Sequence, residues 1–221
     1  MITEKLTSIK TEIPTEVTLV AVSKTKPIAS IEEAYATGHR IFGENKVQEC
    51  VEKYEALPKD IHWHLIGHLQ TNKVKYIAPF VSLIHAVDSL KLLKEINKQA
   101  KKNNRTIDVL LQFHIAQEDT KYGLNFEEAK EILESDDLVE MENIRITGVM
   151  GMATFTDNKE KVADEFRTLN NYFMIFKSHF FKFNDSFKTI SMGMSGDYEL
   201  AIKEGSTMIR VGSKIFGERN Y

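Results

Sequence analysis

What most constrains this chain is an alternation: short apolar runs, each too brief for a globular helix, take turns with segments of helical periodicity. Residues 17–22 are apolar, largely β-branched and bracketed by Pro14 and Pro27, the pattern of a buried strand. The same reasoning places strands at 40–42, 61–66, 81–86, 106–114, 145–150, 188–191 and 208–211. Between them, apolar residues at helical spacing predict helices at 28–37, 45–57, 70–77, 89–102, 126–133, 162–176 and 198–203. Ile2, Leu6, Ile9 and Ile13 predict one further amphipathic helix that stops at Pro14 and covers part of the sheet. Alternation defines the α/β class, and eight strands favour a closed (β/α)8 TIM barrel. A doubly wound open sheet has the same alternation, because strand order is not written in the sequence. No linker or break in composition divides the chain, so residues 1–221 are expected to form a single domain, with 1–13 as its covering helix.

A chain of 221 residues is long enough for one sizeable core and cramped for two. Its 29 basic and 32 acidic residues are interspersed, leaving a formal charge of -3 and no basic block of the kind that binds nucleic acid. Cys50 is the only cysteine, which excludes an internal disulfide and Cys-rich zinc modules and fits a reducing compartment. The N-terminus reads as no signal peptide, and the uncharged stretch 76–87 is too short to span a bilayer, so a soluble cytoplasmic protein is expected.

The first strand runs into Lys24, with Lys26 close behind. A lysine at the end of a barrel strand stands at the ligand face, where partial desolvation makes its amine a nucleophile; a solvated strand-end lysine is the plain alternative. Pro27 favours extended backbone at Lys26, so Lys24 and Lys26 are expected to face one way, roughly 6.5–7 Å apart along the strand. Lys26 would then favour the neutral amine of Lys24, unless it turns to solvent beyond Pro27.

Two small-residue loops, 191–197 and 205–213, have the make-up of phosphate loops after strands seven and eight of a barrel. In the first, Ser195 is placed to cap a helix beginning near Asp197. Each loop alone is equally an ordinary turn. Together with a strand-end lysine they indicate a phosphate-bearing carbonyl ligand. His62 and His64 alternate along one strand and, with His85 and His114, suggest a metal-dependent hydrolase. Arg210 stands on the last strand where an acidic ligand is needed, and hydrogen-bonded structural histidines are the alternative. The loops at 43–45 and 67–73 either line the site or cap helices, while Met150, Gly151, Met152 and Cys50 read as packing.

The stretches 21–27 (AVSKTKP), 42–49 (FGENKVQE), 64–67 (HLIG), 69–73 (LQTNK), 191–195 (SMGMS) and 205–217 resemble the YggS-type pyridoxal 5'-phosphate homeostasis proteins, also called proline synthetase co-transcribed homologues. Their fold is related to the N-terminal barrel of alanine racemase, and the resemblance spans residues 20–221. It implies that Lys24 carries pyridoxal 5'-phosphate as an internal aldimine, that Ser195, Gly212 and Ser213 hold the phosphate, that Arg210 faces the pyridine nitrogen and that Asn45 lies near the ring. His68, Thr71 and Ser213 depart from the residues frequent in relatives, and Ser213 keeps the hydroxyl that phosphate binding needs.

The resemblance further implies a protein without turnover that keeps vitamin B6 and amino-acid pools in balance. An arginine at the pyridine nitrogen disfavours the protonated ring, so the cofactor becomes a poor electron sink. The second base of a racemase comes from an additional domain of a partner subunit, for which this sequence leaves no room. The expectation is therefore a monomer that passes the cofactor to apo-enzymes. A weak amino-acid racemase and the metal hydrolase are the competing readings.

Overall fold

The structure, a computed structural model, describes residues 1–116 and 122–218. It is a closed barrel of eight parallel strands in sequential order, with β1 paired to β8. The strands are β1 Thr18–Val22, β2 Ile41–Glu44, β3 His62–Leu65, β4 Leu83–Val87, β5 Ile107–Phe113, β6 Ile144–Gly151, β7 Thr189–Ser191 and β8 Met208–Val211. The helices begin with α1 Ile2–Glu12, α2 Ile28–Ala36, α3 Val47–Ala56, α4 Val74–Ile77 and α5 Leu90–Lys102. They continue with α6 Phe126–Leu133, α7 Asp136–Val139, α8 Lys159–His179, α9 Tyr198–Lys203 and α10 Ser213–Phe216. The closed sheet resolves the choice between barrel and open sheet.

Successive strand side chains point to opposite faces, so each strand feeds two cores. Leu19 and Ala21 of β1 face outward and pack with Ile209, Val211 and the Leu6, Ile9 and Ile13 stripe of the first segment. That stripe explains α1: it lays three apolar side chains over the outside of the sheet, each worth about 1.5–3 kcal/mol on full burial. Val20 faces inward and meets Leu83, Leu110, Met150 and Met208 inside the barrel. Above this apolar plug the interior becomes polar, with His64, His85, Ser191 and Arg210 all buried.

Several predicted elements differ in detail. The helix expected over 70–77 splits into a 3-10 turn at Thr71–Lys73 followed by α4. Helices α7 and α10, one turn each, are too short to show a period and were not predicted. Strand β6 carries an irregularity against β5 at Val109 and Leu110, and Gly148 stands there at φ 156°. A Cβ on Gly148 would lie 1.8 Å from the Thr189 carbonyl oxygen, so only glycine lets β6 approach β7 this closely.

Candidate functional site

β1 stops at Val22 and the next four residues form a tight turn, in which the Lys26 amide donates to the Ser23 carbonyl at 3.0 Å. Thr25 closes that turn at φ 65°. A β-branched residue in this left-handed region costs about 1–2 kcal/mol and persists only where neighbours over-determine it. The neighbours are charged: Glu44 and Lys53 are buried and Glu49 is half-buried. Glu44, at the end of β2, accepts the Ser23 hydroxyl at 2.5 Å. The Lys53 ammonium on α3 donates to the Ser23 carbonyl at 2.7 Å, to Glu44 Oε1 at 2.8 Å and to Glu49 Oε1 at 2.7 Å. Glu49 Oε1 in turn accepts the Thr25 amide at 2.5 Å. The two residues that flank Lys24 are thus tied to one ion cluster. Burial raises the Glu44 carboxyl to about 7 against the opposing pull of Lys53 and Ser23.

This turn corrects the expectation that Lys24 and Lys26 share one extended face, since a left-handed residue between them breaks the alternation. Lys26 lines the cavity, but its ammonium donates to the carbonyls of Gly217 at 3.0 Å and Glu218 at 2.7 Å. It caps the end of α10.

The loop after β7 reaches the loop after β8 through Ser195, whose hydroxyl accepts the Gly212 amide at 3.2 Å. Ser195 is therefore not the helix cap that its position suggests. Asp197 occupies the N-cap of α9, and its Oδ1 accepts the Met194 amide at 2.5 Å, closing the loop on itself. Gly193 allows the loop to lie on α9: it holds φ 94°, and a Cβ there would meet that of Ala201 at 2.6 Å.

Arg210 projects from β8 into the barrel, 3% exposed. Its Nη1 donates to Ser191 Oγ at 2.6 Å and its Nη2 to the Gly151 carbonyl at 3.0 Å. Gly151, expected as packing, thus supplies an acceptor, and Met152 beside it lines the cavity. The chain continues from Ser191 Oγ to His85 Nδ1 and from His85 Nε2 to His64 Nδ1, each 3.0 Å. A guanidinium only donates, so Ser191 Oγ accepts from Arg210, and the two rings hold complementary tautomers, each bond having one protonated and one bare nitrogen or oxygen partner. Burial pushes His64 down to about 3 and His85 well below its ordinary value, so both rings are neutral. Burial also lowers Arg210, to about 10, which leaves it charged at neutral pH. His62 sits exposed at the other end of β3, and among the described residues no group of three His, Cys, Asp or Glu side chains could hold a metal ion. The histidines bond one another as structural histidines do.

Lys24, Lys26, Asn45, Ser195, Arg210, Gly212 and Ser213 all line one cavity of about 810 Å3. They come from β7, β8, β1, β2 and the loops that follow, which are contiguous in the closed barrel. His68 also lines the cavity, the first of the two alternatives for the 67–73 loop, and Gln112, Tyr122, Met152 and Phe155 line it without having been expected there. Exposed apolar side chains leave no signal in a sequence beyond their occurrence. Glu49 and Lys53 were missed as well, because charges on an amphipathic helix read as its solvated face, and Glu44 because a carboxylate at a strand end carries no sign of its burial. The available clue was spacing: Lys53 stands three residues from buried Cys50 and four from Glu49. An amine, hydroxyls, backbone amides and a buried guanidinium can together bind an anion and present a nucleophile to a carbonyl.

The fold and site define the class: a parallel (β/α)8 barrel with a cationic ligand site at its carboxyl mouth, where the last two strands supply the small-residue loops. Residues 1–220 match the model of the family described as alanine racemase, N-terminal domain. The pyridoxal phosphate homeostasis protein of Aquifex aeolicus (strain VF5) is 43% identical over 204 residues, covering 92% of this chain and 87% of that protein. PipY of Synechococcus elongatus PCC7942, solved without PLP, superposes with a TM-score of 0.91 at 34% identity, covering 98% of this chain and 100% of that one. With PLP bound, PipY gives 0.88 at 33% identity, with the same coverage. Alanine racemase from E. faecalis shares the fold at a TM-score of 0.76 and 17% identity, covering 99% of this chain and 58% of the racemase. The chain belongs to the alanine racemase N-terminal domain family and, within it, to the YggS-type pyridoxal phosphate homeostasis proteins.

Proposed function

We propose that this protein binds pyridoxal 5'-phosphate at the carboxyl mouth of its barrel, buffers or carries it, and has no turnover of its own. The observation that carries the reading is the convergence of the seven residues in one cavity. Their donor set fits the cofactor. Ser195, Gly212 and Ser213 suit a phosphate, Lys24 suits an aldehyde, Arg210 faces the ring nitrogen and Asn45 lies near the ring. Bound there, the cofactor supplies an aldehyde and a pyridine ring able to accept electrons. This chain's own residues restrain that ability. Ser191 and Gly151 hold Arg210 in place, and its charge opposes a proton on the ring nitrogen. Lys26 lines the same cavity while its ammonium holds the C-terminal turn. A buried single cysteine supports residence in a reducing cytoplasm, and among the described residues no helix is long and apolar enough to cross a membrane. The finer reading is a monomer that releases its cofactor to apo-enzymes.

Borohydride reduction of the loaded protein, followed by peptide mass spectrometry, tests this reading. The adduct is expected on Lys24. The Lys24→Ala variant should lose the adduct and its absorbance while keeping its melting temperature and part of its affinity through the phosphate loops. An adduct confined to another lysine would rule out Lys24 as the anchor, and sustained racemisation of L-alanine that Lys24→Ala abolishes would replace the proposal with the enzyme reading.

A further inference from the structure

The Lys24 turn is held from both sides by one side chain that does not reach the cavity. Lys53 is 5% exposed and uses three hydrogen bonds: one to the residue before Lys24, through the Ser23 carbonyl, and two to the carboxylates that grip the turn. Glu44 takes the Ser23 hydroxyl and Glu49 takes the Thr25 amide. An ammonium has three protons and no acceptor, so this arrangement saturates it. Glu44 and Glu49 carry opposite charge to Lys53 and reach it from β2 and from one turn earlier on α3. The geometry fits a clamp whose object is the backbone of Thr25, the non-glycine residue that the turn forces to positive φ.

We propose that Lys53 is a positioning residue for Lys24: through Glu49 and the Ser23 carbonyl it locks the turn that presents the Lys24 amine at the cavity. This rests on the reading of Lys24 as the covalent anchor. In the covalent step the neutral Lys24 amine adds to the aldehyde carbon, and the aldehyde oxygen leaves as water once it has taken up two protons, both supplied by the amine as it becomes an imine. Lys53 takes no part in that exchange. It sets how often the amine stands where the exchange can occur.

The test uses the full chain with Lys53→Met, which keeps the length of the stem, the double variant Lys53→Met with Thr25→Gly, and Glu49→Gln. Three quantities are read: hydrogen exchange at the Thr25 amide without ligand, the rate of the Lys24 absorbance change on mixing with pyridoxal 5'-phosphate, and affinity for pyridoxine 5'-phosphate, which has no aldehyde. Lys53→Met should speed exchange at Thr25 and slow adduct formation about tenfold, equivalent to about 1.4 kcal/mol. Its affinity for pyridoxine 5'-phosphate should change less than twofold. Thr25→Gly should restore most of the rate in the double variant, because glycine adopts positive φ without penalty; a general loss of packing would not be rescued in this way. If Lys53→Met does not fold, Glu49→Gln, which keeps both other bonds of Lys53, should show the same pattern more weakly. An unchanged rate, or a slow rate that Thr25→Gly leaves slow, overturns the proposal. A parent protein that forms no adduct at Lys24 removes the covalent reading instead, and the Thr25 exchange then still decides whether the clamp exists.

Discussion

Ser191 stands between a guanidinium that only donates and the Nδ1 of a buried ring, and its single hydroxyl partners both. Replacing it with alanine would leave Arg210 Nη1 and His85 Nδ1 unpaired inside the barrel. Each unsatisfied buried group costs about 1–3 kcal/mol. Ser191→Ala should therefore lower unfolding stability by at least that amount for one group, read as a shifted urea midpoint at constant m-value. A change under about 0.5 kcal/mol, the range of ordinary surface substitutions, would mean that the chain from Arg210 to His64 is not coupled. The sequence showed the members of this chain but not their order. His64, His85, Ser191 and Arg210 lie on four strands, and only barrel closure brings β8 and β7 across from β3 and β4.

At the scale of elements, the strands and most helices were legible because period-2 and period-3.6 patterns are strong where one face is buried. The cavity-lining positions were legible for the same reason: they follow strand ends, and strand ends were marked by Lys, Gly and Ser. The path of the chain just after β1 was not. Left-handed backbone is normally announced by Gly or Asn, and here Thr25 adopts it because Glu49 and Lys53 compel it from α3. That path takes the Lys26 ammonium to the C-terminal turn, while Lys26 still lines the cavity. The corrected role has a consequence for α10: Lys26→Gln keeps a donor but loses the charge and one reach of the stem, so the carbonyls of Gly217 and Glu218 lose their cap. Hydrogen exchange over residues 213–218 should quicken in Lys26→Gln, with the other strand ends unaffected. Exchange identical to the parent would show that the ammonium does not hold this turn.

For the whole molecule, burial of titratable groups sets how stability depends on pH. Burial depresses His39 to about 4, His64 to about 3 and His85 well below its ordinary value. In the unfolded chain all three protonate near 6.5, so below that pH the unfolded state binds more protons and stability falls on acidification. Glu44 acts the other way. Its folded value of about 7 lies above the ordinary 4.5, so between those limits the folded state holds the extra proton and stability rises on acidification. Asp197, raised by burial, adds to that opposition above its own ordinary value. Each group contributes on the order of 1 kcal/mol per pH unit inside its window. Three histidines outweigh the two carboxyls, so the urea midpoint should fall from pH 6.5 to pH 4.5. Glu44→Gln removes the main opposing contribution, and its midpoint should fall more steeply over the same interval than that of the parent. Parallel curves would mean that Glu44 titrates alike in both states, which would place the Lys53 ammonium, rather than burial, in control of this carboxyl.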